Sequence, residues 1–261
     1  TLNYHLSPSE GEAPMTRTYK AEEMTPAEFR QAVAERPIVI LATGILEWHG
    51  DHLPLGTDAL KMRGIAERLA QRARAILLPQ NWFGVVGFDE MLGTITFSKP
   101  LVKQILTEYY ANLEKMGAKV VATLTGHYGP YQVETITEAA QEYMAHSKMR
   151  IIAQPEYEGT DFSRFPCNPD HADKYETSLM MAVRPDLMQM DKYRRELEIP
   201  HVYPYRENPW DFHSPSGPWT FSEDLDRVAS AELGERVMEA ILDTLTKRIE
   251  EEYAKATGAA T

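Results

Sequence analysis

Pro37-Ile38-Val39-Ile40-Leu41-Ala42-Thr43, "PIVILAT", runs directly into Gly44 to Asp58, "GILEWHGDHLPLGTD". The first stretch is apolar, rich in β-branched residues and too short for a helix, so it reads as a strand. It shows no alternation of polar and apolar residues. That implies cover on both faces, as in a parallel sheet between two helix layers. The second stretch gathers Glu47, His49, Asp51, His52 and Asp58. In open α/β sheets, ligands bind beyond the carboxyl ends of the strands, and this polar cluster falls at that edge.

Outward from this point, strands and helices alternate. Upstream, Thr25-Pro26-Ala27-Glu28 has the pattern of a capping box, with Pro at the first helical position. Downstream, "ALKMRGIAERLAQRA" reads as helix and "AILLPQNW" as strand. "PLVKQILTEYYANLEKMG" is an amphipathic helix with Gly117 as its C-cap. "AKVVATLTGH" is the second strongly apolar strand. "YQVETITEAAQEYMAHS" follows as helix, "MRIIAQPEY" as strand and "KYETSLMMAV" as a short helix stopped before Pro185. The Pro-rich section Ile199–Trp219 reads as an ordered loop, and a long charged helix from about Ser230 to Ala256 completes the pattern. The expected architecture is a three-layer α/β/α sandwich with a mostly parallel central sheet. No linker or internal repeat divides it, so residues 22–261 read as a single domain. Residues 1–21 read as an extended arm suited to packing on a neighbouring subunit, without the basic and apolar regions of a signal peptide.

At 261 residues and 43% hydrophobic, the chain can bury one sizeable core. Its net charge of −12 argues against non-specific nucleic-acid binding. One cysteine, Cys167, excludes both an intrachain disulfide framework and a Cys-rich zinc site. No apolar run reaches the length of a membrane span. The expectation is a soluble cytoplasmic protein. "TGHYGP" has neither the P-loop nor the dinucleotide glycine spacing.

In an extended segment, residues i and i+2 share a side. Glu47 and His49 are such a pair, with Trp48 facing away. Gly50, Pro54 and Gly56 then turn the chain, and Asp58 arrives at the start of the next helix. "TLTGHYGP" puts His127 at the end of the second strong strand. In "HADKYETS", His171 lies in a loop and Glu176 in the first turn of a helix. Singly, each has an ordinary reading: a hydrogen-bonded structural histidine, a helix-capping Asp58, a solvated first-turn Glu176. Together, three segments bring carboxylates and imidazoles to one sheet edge. That mixed oxygen and nitrogen set suits zinc, manganese or iron better than calcium or magnesium.

These three segments, "GILEWHGDHLPLGTD", "TLTGHYGP" and "HADKYETSLMMAVRPDLM", resemble in order and spacing the signatures of the creatininase family of metal-dependent amidohydrolases. "LGTITFS" is similar to the family's Gly-Thr-Ile strand motif. The resemblance runs from about Glu22 to the last helix. It implies two divalent metal ions per chain, zinc with zinc, manganese or iron, commonly in a homo-hexamer. By the same resemblance, Glu47 and His127 hold one metal, His49 the other, and Asp58 bridges both. Where creatininase supplies a further Glu two residues after the second-signature histidine, this sequence has Gly129, and Glu176 is the replacement ligand. His171 matches the family's catalytic histidine. His52 and Tyr128 are expected to support ligands or touch substrate.

The resemblance further implies hydrolysis of a C–N amide bond of a small, possibly cyclic, substrate through a metal-bridged hydroxide. Formamide deformylation and small-peptide hydrolysis are the alternatives within the family, and a non-catalytic metal-binding relative is the alternative outside enzymes. Tyr157, Phe162 and Phe165 stand where creatininase brackets its substrate with tryptophans, and Asp89, Glu90 and Met91 replace its residues before Gly-Thr-Ile. The pocket is therefore expected to differ from one built for creatinine.

Overall fold

Four parallel strands form the central sheet in the order β2–β1–β3–β4. They are β1 (Ile38–Thr43), β2 (Ile76–Leu77), β3 (Val120–Thr125) and β4 (Arg150–Pro155). The computed structural model describes residues 18–85, 87–198 and 218–258. The helices α1 (Pro26–Glu35), α2 (Thr57–Ala73), α3 (Lys99–Lys115), α4 (Pro130–Met144) and α5 (Lys174–Val183) follow the expected spans to within a few residues. After α5 come two short strands, β5 (Glu196–Leu197) and β6 (Trp219–Thr220), the four-residue α6 (Leu225–Val228) and the long α7 (Ala231–Thr257).

The absence of alternation in β1 has the expected cause. Ile38, Ile40 and Ala42 pack with α2 and α7, while Val39 and Leu41 pack with α3 and α4. Every residue of β1 and of β3 is buried. The α/β/α sandwich is therefore present, with a parallel main sheet. Local signals behave as read: Thr25 and Glu28 form the reciprocal capping box of α1, and Gly117 takes a positive φ of 102° just past α3.

Two expectations need correction. "AILLPQNW" yields only the two-residue β2, because Pro79 has no N–H for the ladder; the chain rejoins β1 through Asn81. "LGTITFS" is not a regular strand: Ile95 makes one bridge to Leu46, and Thr94 accepts a hydrogen bond from the Trp48 N–H. Most of the Pro-rich section lies outside the described residues, but its last residue, Trp219, opens β6, which pairs antiparallel with β5. Of the proposed arm, residues 1–17 also lie outside them; Lys20 bridges to Leu77 and so covers the β2 edge. Among the described residues, no helix is long and apolar enough to cross a membrane.

Register makes the functional edge. β1 and β3 pair from Ile38–Val120 to Thr43–Thr125, so their carboxyl ends are flush. The start of α2 docks onto those ends through the glycines that follow each strand. A Cβ at Gly44 would overlap the Ala59 backbone, and one at Gly126 would overlap the Asp58 carbonyl. Gly126→Ala is therefore expected to push α2 away and destabilise the fold by about 1–3 kcal/mol, read as a lowered denaturation midpoint. An unchanged midpoint would show that the helix can shift without strain.

Candidate metal centre

Six side chains from four loop or helix-start segments meet above β1 and β3. Glu47 and His49 follow β1, Asp58 is in the first turn of α2, His127 follows β3, His171 precedes α5, and Glu176 is in its first turn. All but His171 are buried. Asp58 does not cap α2, whose N-cap is Gly56; its side chain is turned into the cluster instead.

A backbone carbonyl fixes the orientation of each imidazole. His49 Nδ1 lies 3.0 Å from the Glu47 carbonyl, His127 Nε2 3.2 Å from that of Val85, and His171 Nε2 2.9 Å from that of Trp48. A carbonyl only accepts, so each of these nitrogens carries the proton and donates. The opposite nitrogen of each ring then faces the carboxylates. His49 Nε2 is 3.2 Å from Asp58 Oδ1 and 3.3 Å from Glu176 Oε2. His127 Nδ1 is 3.3 Å from both Glu47 Oε2 and Asp58 Oδ2.

The outer oxygens of the two glutamates are held in turn. Glu47 Oε1 accepts from the Phe88 N–H at 2.8 Å. Glu176 Oε1 takes the Lys61 ammonium and the Tyr128 hydroxyl, and its Oε2 accepts from the Ala172 N–H at 2.7 Å. Ala172 sits at a φ of +57°, an uncommon conformation for a residue with a side chain. It lets the loop aim that N–H at Glu176 directly after presenting His171.

The cluster demands positive charge. Burial opposes ionisation of Glu47, Asp58 and Glu176, yet each carboxyl is held below its usual range: Glu47 by His127, Asp58 by His49 and His127, and Glu176 by Lys61 and His49. Burial likewise opposes protonation of His49 and His127, and the facing carboxylates outweigh it and raise both. Protons would thus gather where unprotonated imidazole nitrogens and carboxylate oxygens converge. Divalent ions fit the same places. His49 Nε2 and Asp58 Oδ2 are buried with only the close approaches just described and no well-formed hydrogen bond, a geometry that suits metal ligation. Two ligand groups, Glu47–Asp58–His127 and His49–Asp58–Glu176, each have their donor atoms within 4.8 Å of one another and share Asp58.

His171 stands at the rim. Its Nδ1 is 3.7 Å from Glu47 Oε2 and its side chain is 20% exposed. With Glu47 and His49 it makes a third group of suitable donor spacing. Burial and then His49 hold its imidazole below the usual range. Aromatic rings wall it in: Phe88 at 4.4 Å between centroids, Trp219 at 5.4 Å and Trp48 at 6.4 Å. The sequence reading found no tryptophan beside the third signature; the fold brings two there from elsewhere in the chain.

The remaining sequence candidates lie behind the cluster. His52 Nε2 is 3.1 Å from Thr177 Oγ1 and its ring meets Tyr193 and Phe221 edge-on, so it braces α5; burial pushes it down to about 4. Tyr128 touches Glu176 through its hydroxyl. Three residues were missed by sequence reasoning. Lys61 lies one turn after Asp58 on the same helix face. Glu156 follows β4 as Glu47 and His127 follow β1 and β3, which was the available signal. Asp170 accepts from the N–H groups of Tyr175 at 2.7 Å and Asp173 at 3.2 Å, tying down the start of α5.

The fold and the cluster define an α/β protein with metal-ligating groups at the carboxyl edge of its parallel sheet. The chain belongs to the creatininase family, whose model, described as creatinine amidohydrolase, matches residues 22–249. It is 26% identical over 265 residues to the creatinine amidohydrolase of Pseudomonas putida, covering 92% of this chain and 99% of that one. It is 29% identical over 174 residues to a mycofactocin precursor peptide peptidase of Mycolicibacterium smegmatis, covering 62% of this chain and 64% of the relative. Among solved structures, a creatinine amidohydrolase superposes with a TM-score of 0.73 at 23% identity, over 91% of this chain and 98% of the other. A manganese creatininase superposes at 0.68 with 22% identity, over 91% and 99%.

Asp170→Ala removes the carboxylate that holds the first turn of α5. A loss of about 1 kcal/mol is expected, checked by chemical denaturation, with Asp170→Asn recovering part of it through its amide oxygen. Equal stability of all three proteins would show that Asp173 alone suffices as the cap.

Proposed function

We propose that the chain hydrolyses the C–N amide bond of a small substrate with two divalent ions held in this cluster. The observation that carries the proposal is Asp58, whose two oxygens face imidazole nitrogens of two different ligand groups. Glu47 and His127 would hold one ion, His49 and Glu176 the other, and Asp58 would bridge them. Glu176 then serves where Gly129 leaves no side chain. Bound there, the ions supply Lewis acidity, which polarises a carbonyl and lowers the pKa of water to about 7.

The chain's own residues do the rest. Hydrolysis forms a C–O bond, breaks the C–N bond and moves a proton from water to the departing nitrogen. His171 suits that transfer: its Nε2 proton is committed to the Trp48 carbonyl, so Nδ1 is the free base on the cluster side. Phe88 and Trp219 form an aromatic wall that excludes bulk water and favours a flat group against His171. Within the family, the likeness to a precursor peptide peptidase supports a short peptide as the alternative substrate. Formamides complete the set to be assayed, and inactivity with metal bound would favour a non-catalytic relative. A homo-oligomer, hexameric by the family resemblance, is supported by exposed Leu55, Trp82, Leu92, Ile95 and Phe97. A cytoplasmic home accords with the single free, buried Cys167.

Elemental analysis of the purified protein should find about two zinc, manganese or iron ions per chain, dropping toward one in Glu176→Ala. Metal that stays near zero after ions are supplied would sink the hydrolase reading. On a panel of cyclic amides, formamides and short peptides, His171→Ala should lower turnover by about 10²–10⁴-fold with metal content intact. If that variant loses metal instead, His171 is a ligand.

A further inference from the structure

The molecule buries a lysine next to the place where it gathers ligands for cations. Lys61, on α2, is completely buried. Its ammonium contacts Glu176 Oε1, lies 3.2 Å from Glu156 Oε1 and 3.1 Å from the Tyr128 hydroxyl. The Tyr128 and Tyr175 ring centroids are 4.3 and 5.4 Å from it. Glu156 is buried too, and the Tyr175 hydroxyl donates to it at 3.1 Å. An ammonium has three donors and no lone pair, so Lys61 is not a metal ligand in this state. Its two ion pairs run to Glu156 and to Glu176, the carboxylate that faces His49.

We propose that Lys61 sets how tightly the metal on the His49 side is held, by occupying the outer oxygen of Glu176 and keeping a fixed positive charge behind that ligand. The inference rests on the two-metal reading above. Two consequences follow from the contacts. With Oε1 engaged by Lys61, Glu176 offers the cluster a single oxygen, Oε2. The nearby ammonium also repels any cation that Glu176 holds, and in a buried setting this is weakly screened.

Lys61 is not needed to keep Glu176 in place. The Ala172 N–H holds Oε2 and the backbone is anchored in the first turn of α5, while the Tyr128 hydroxyl shares its one proton between the Asp170 carbonyl and Oε1 at 2.8 Å. Removing the lysine therefore leaves Oε1 facing only a neutral hydroxyl and deletes a repelling charge without releasing the ligand. Both changes tighten cation binding. The Glu47–His127 side, whose outer oxygen is tied to the Phe88 N–H instead, feels only the longer-range part of the change.

The test is calorimetric titration of the chelator-stripped full chain with zinc or manganese ions. Lys61→Met keeps a long unbranched side chain without the charge. The binding step that Glu176→Ala abolishes should tighten at least tenfold in Lys61→Met, while the other step moves less than threefold. Weakening or loss of that step would show that Lys61 positions Glu176, and unchanged affinities would show that its charge is not felt; either overturns the proposal. Lys61→Met leaves Glu156 and Glu176 as buried neighbours. If the single variant fails to fold by circular dichroism, Lys61→Met combined with Glu156→Gln removes both halves of the inner ion pair and must still tighten that step, by less than the single variant because an attracting charge is lost as well. A wild-type protein that takes up no metal defeats the two-metal reading itself. A wild type that binds two ions, with no tightening in the variants, defeats only the role given to Lys61.

Discussion

Asp58 is a buried carboxylate with both oxygens turned toward imidazole nitrogens, and two more carboxylates lie beside it. Holding such a group out of water demands compensating positive charge of fixed geometry. Much of the architecture meets that demand. The flush carboxyl ends of β1 and β3 set the separation between the His49 and His127 rings. Glycines at both strand ends let the start of α2 come close enough to deliver Asp58 between them. Three backbone carbonyls then turn the three imidazoles so that their other ring nitrogens face inward.

How much of this was legible in the sequence depends on where each residue's signal comes from. Glu47, His49 and His127 announce themselves because they follow long apolar runs, and a buried parallel strand has only one place to put what comes next. Glu176 was legible as a first-turn acid; its role as a replacement for the residue missing at Gly129 rested on family resemblance, and the geometry puts it on the His49 side of Asp58. Lys61 was not legible. In "ALKMRGIAERL" it resembles the solvated cation of any amphipathic helix, and nothing local says that Glu156 and Glu176 will close over it. The same holds for Trp219, whose approach to His171 depends on the pairing of β5 with β6, too short to show a period.

Strand prediction failed where the backbone does something besides pair. Pro79 interrupts the segment after β2, and "LGTITFS" gives up its ladder to support the Glu47–His49 loop: Ile95 donates to the Leu46 carbonyl, and the Thr94 hydroxyl receives the Trp48 N–H. Irregular backbone at these two places is what steadies the loop that carries two of the proposed ligands. A reading by periodicity sees such segments as weak strands, since their composition is strand-like and their partners are distant.

The bond from His171 to the Trp48 carbonyl joins residues 123 positions apart, and His52 meets Thr177 across 125. Contacts of such separation close long loops, at a cost in chain entropy that the docked structure must offset. Without α5 in place, the sheet edge carries the Glu47, His49, Asp58 and His127 donors but lacks Glu176. The cluster is complete only when α5 is docked, so the proposed ligand set on the His49 side depends on that contact. An ion held between segments so distant in sequence, as proposed, would act as a cross-link, and withdrawing it would loosen α5 before it disturbs the sheet.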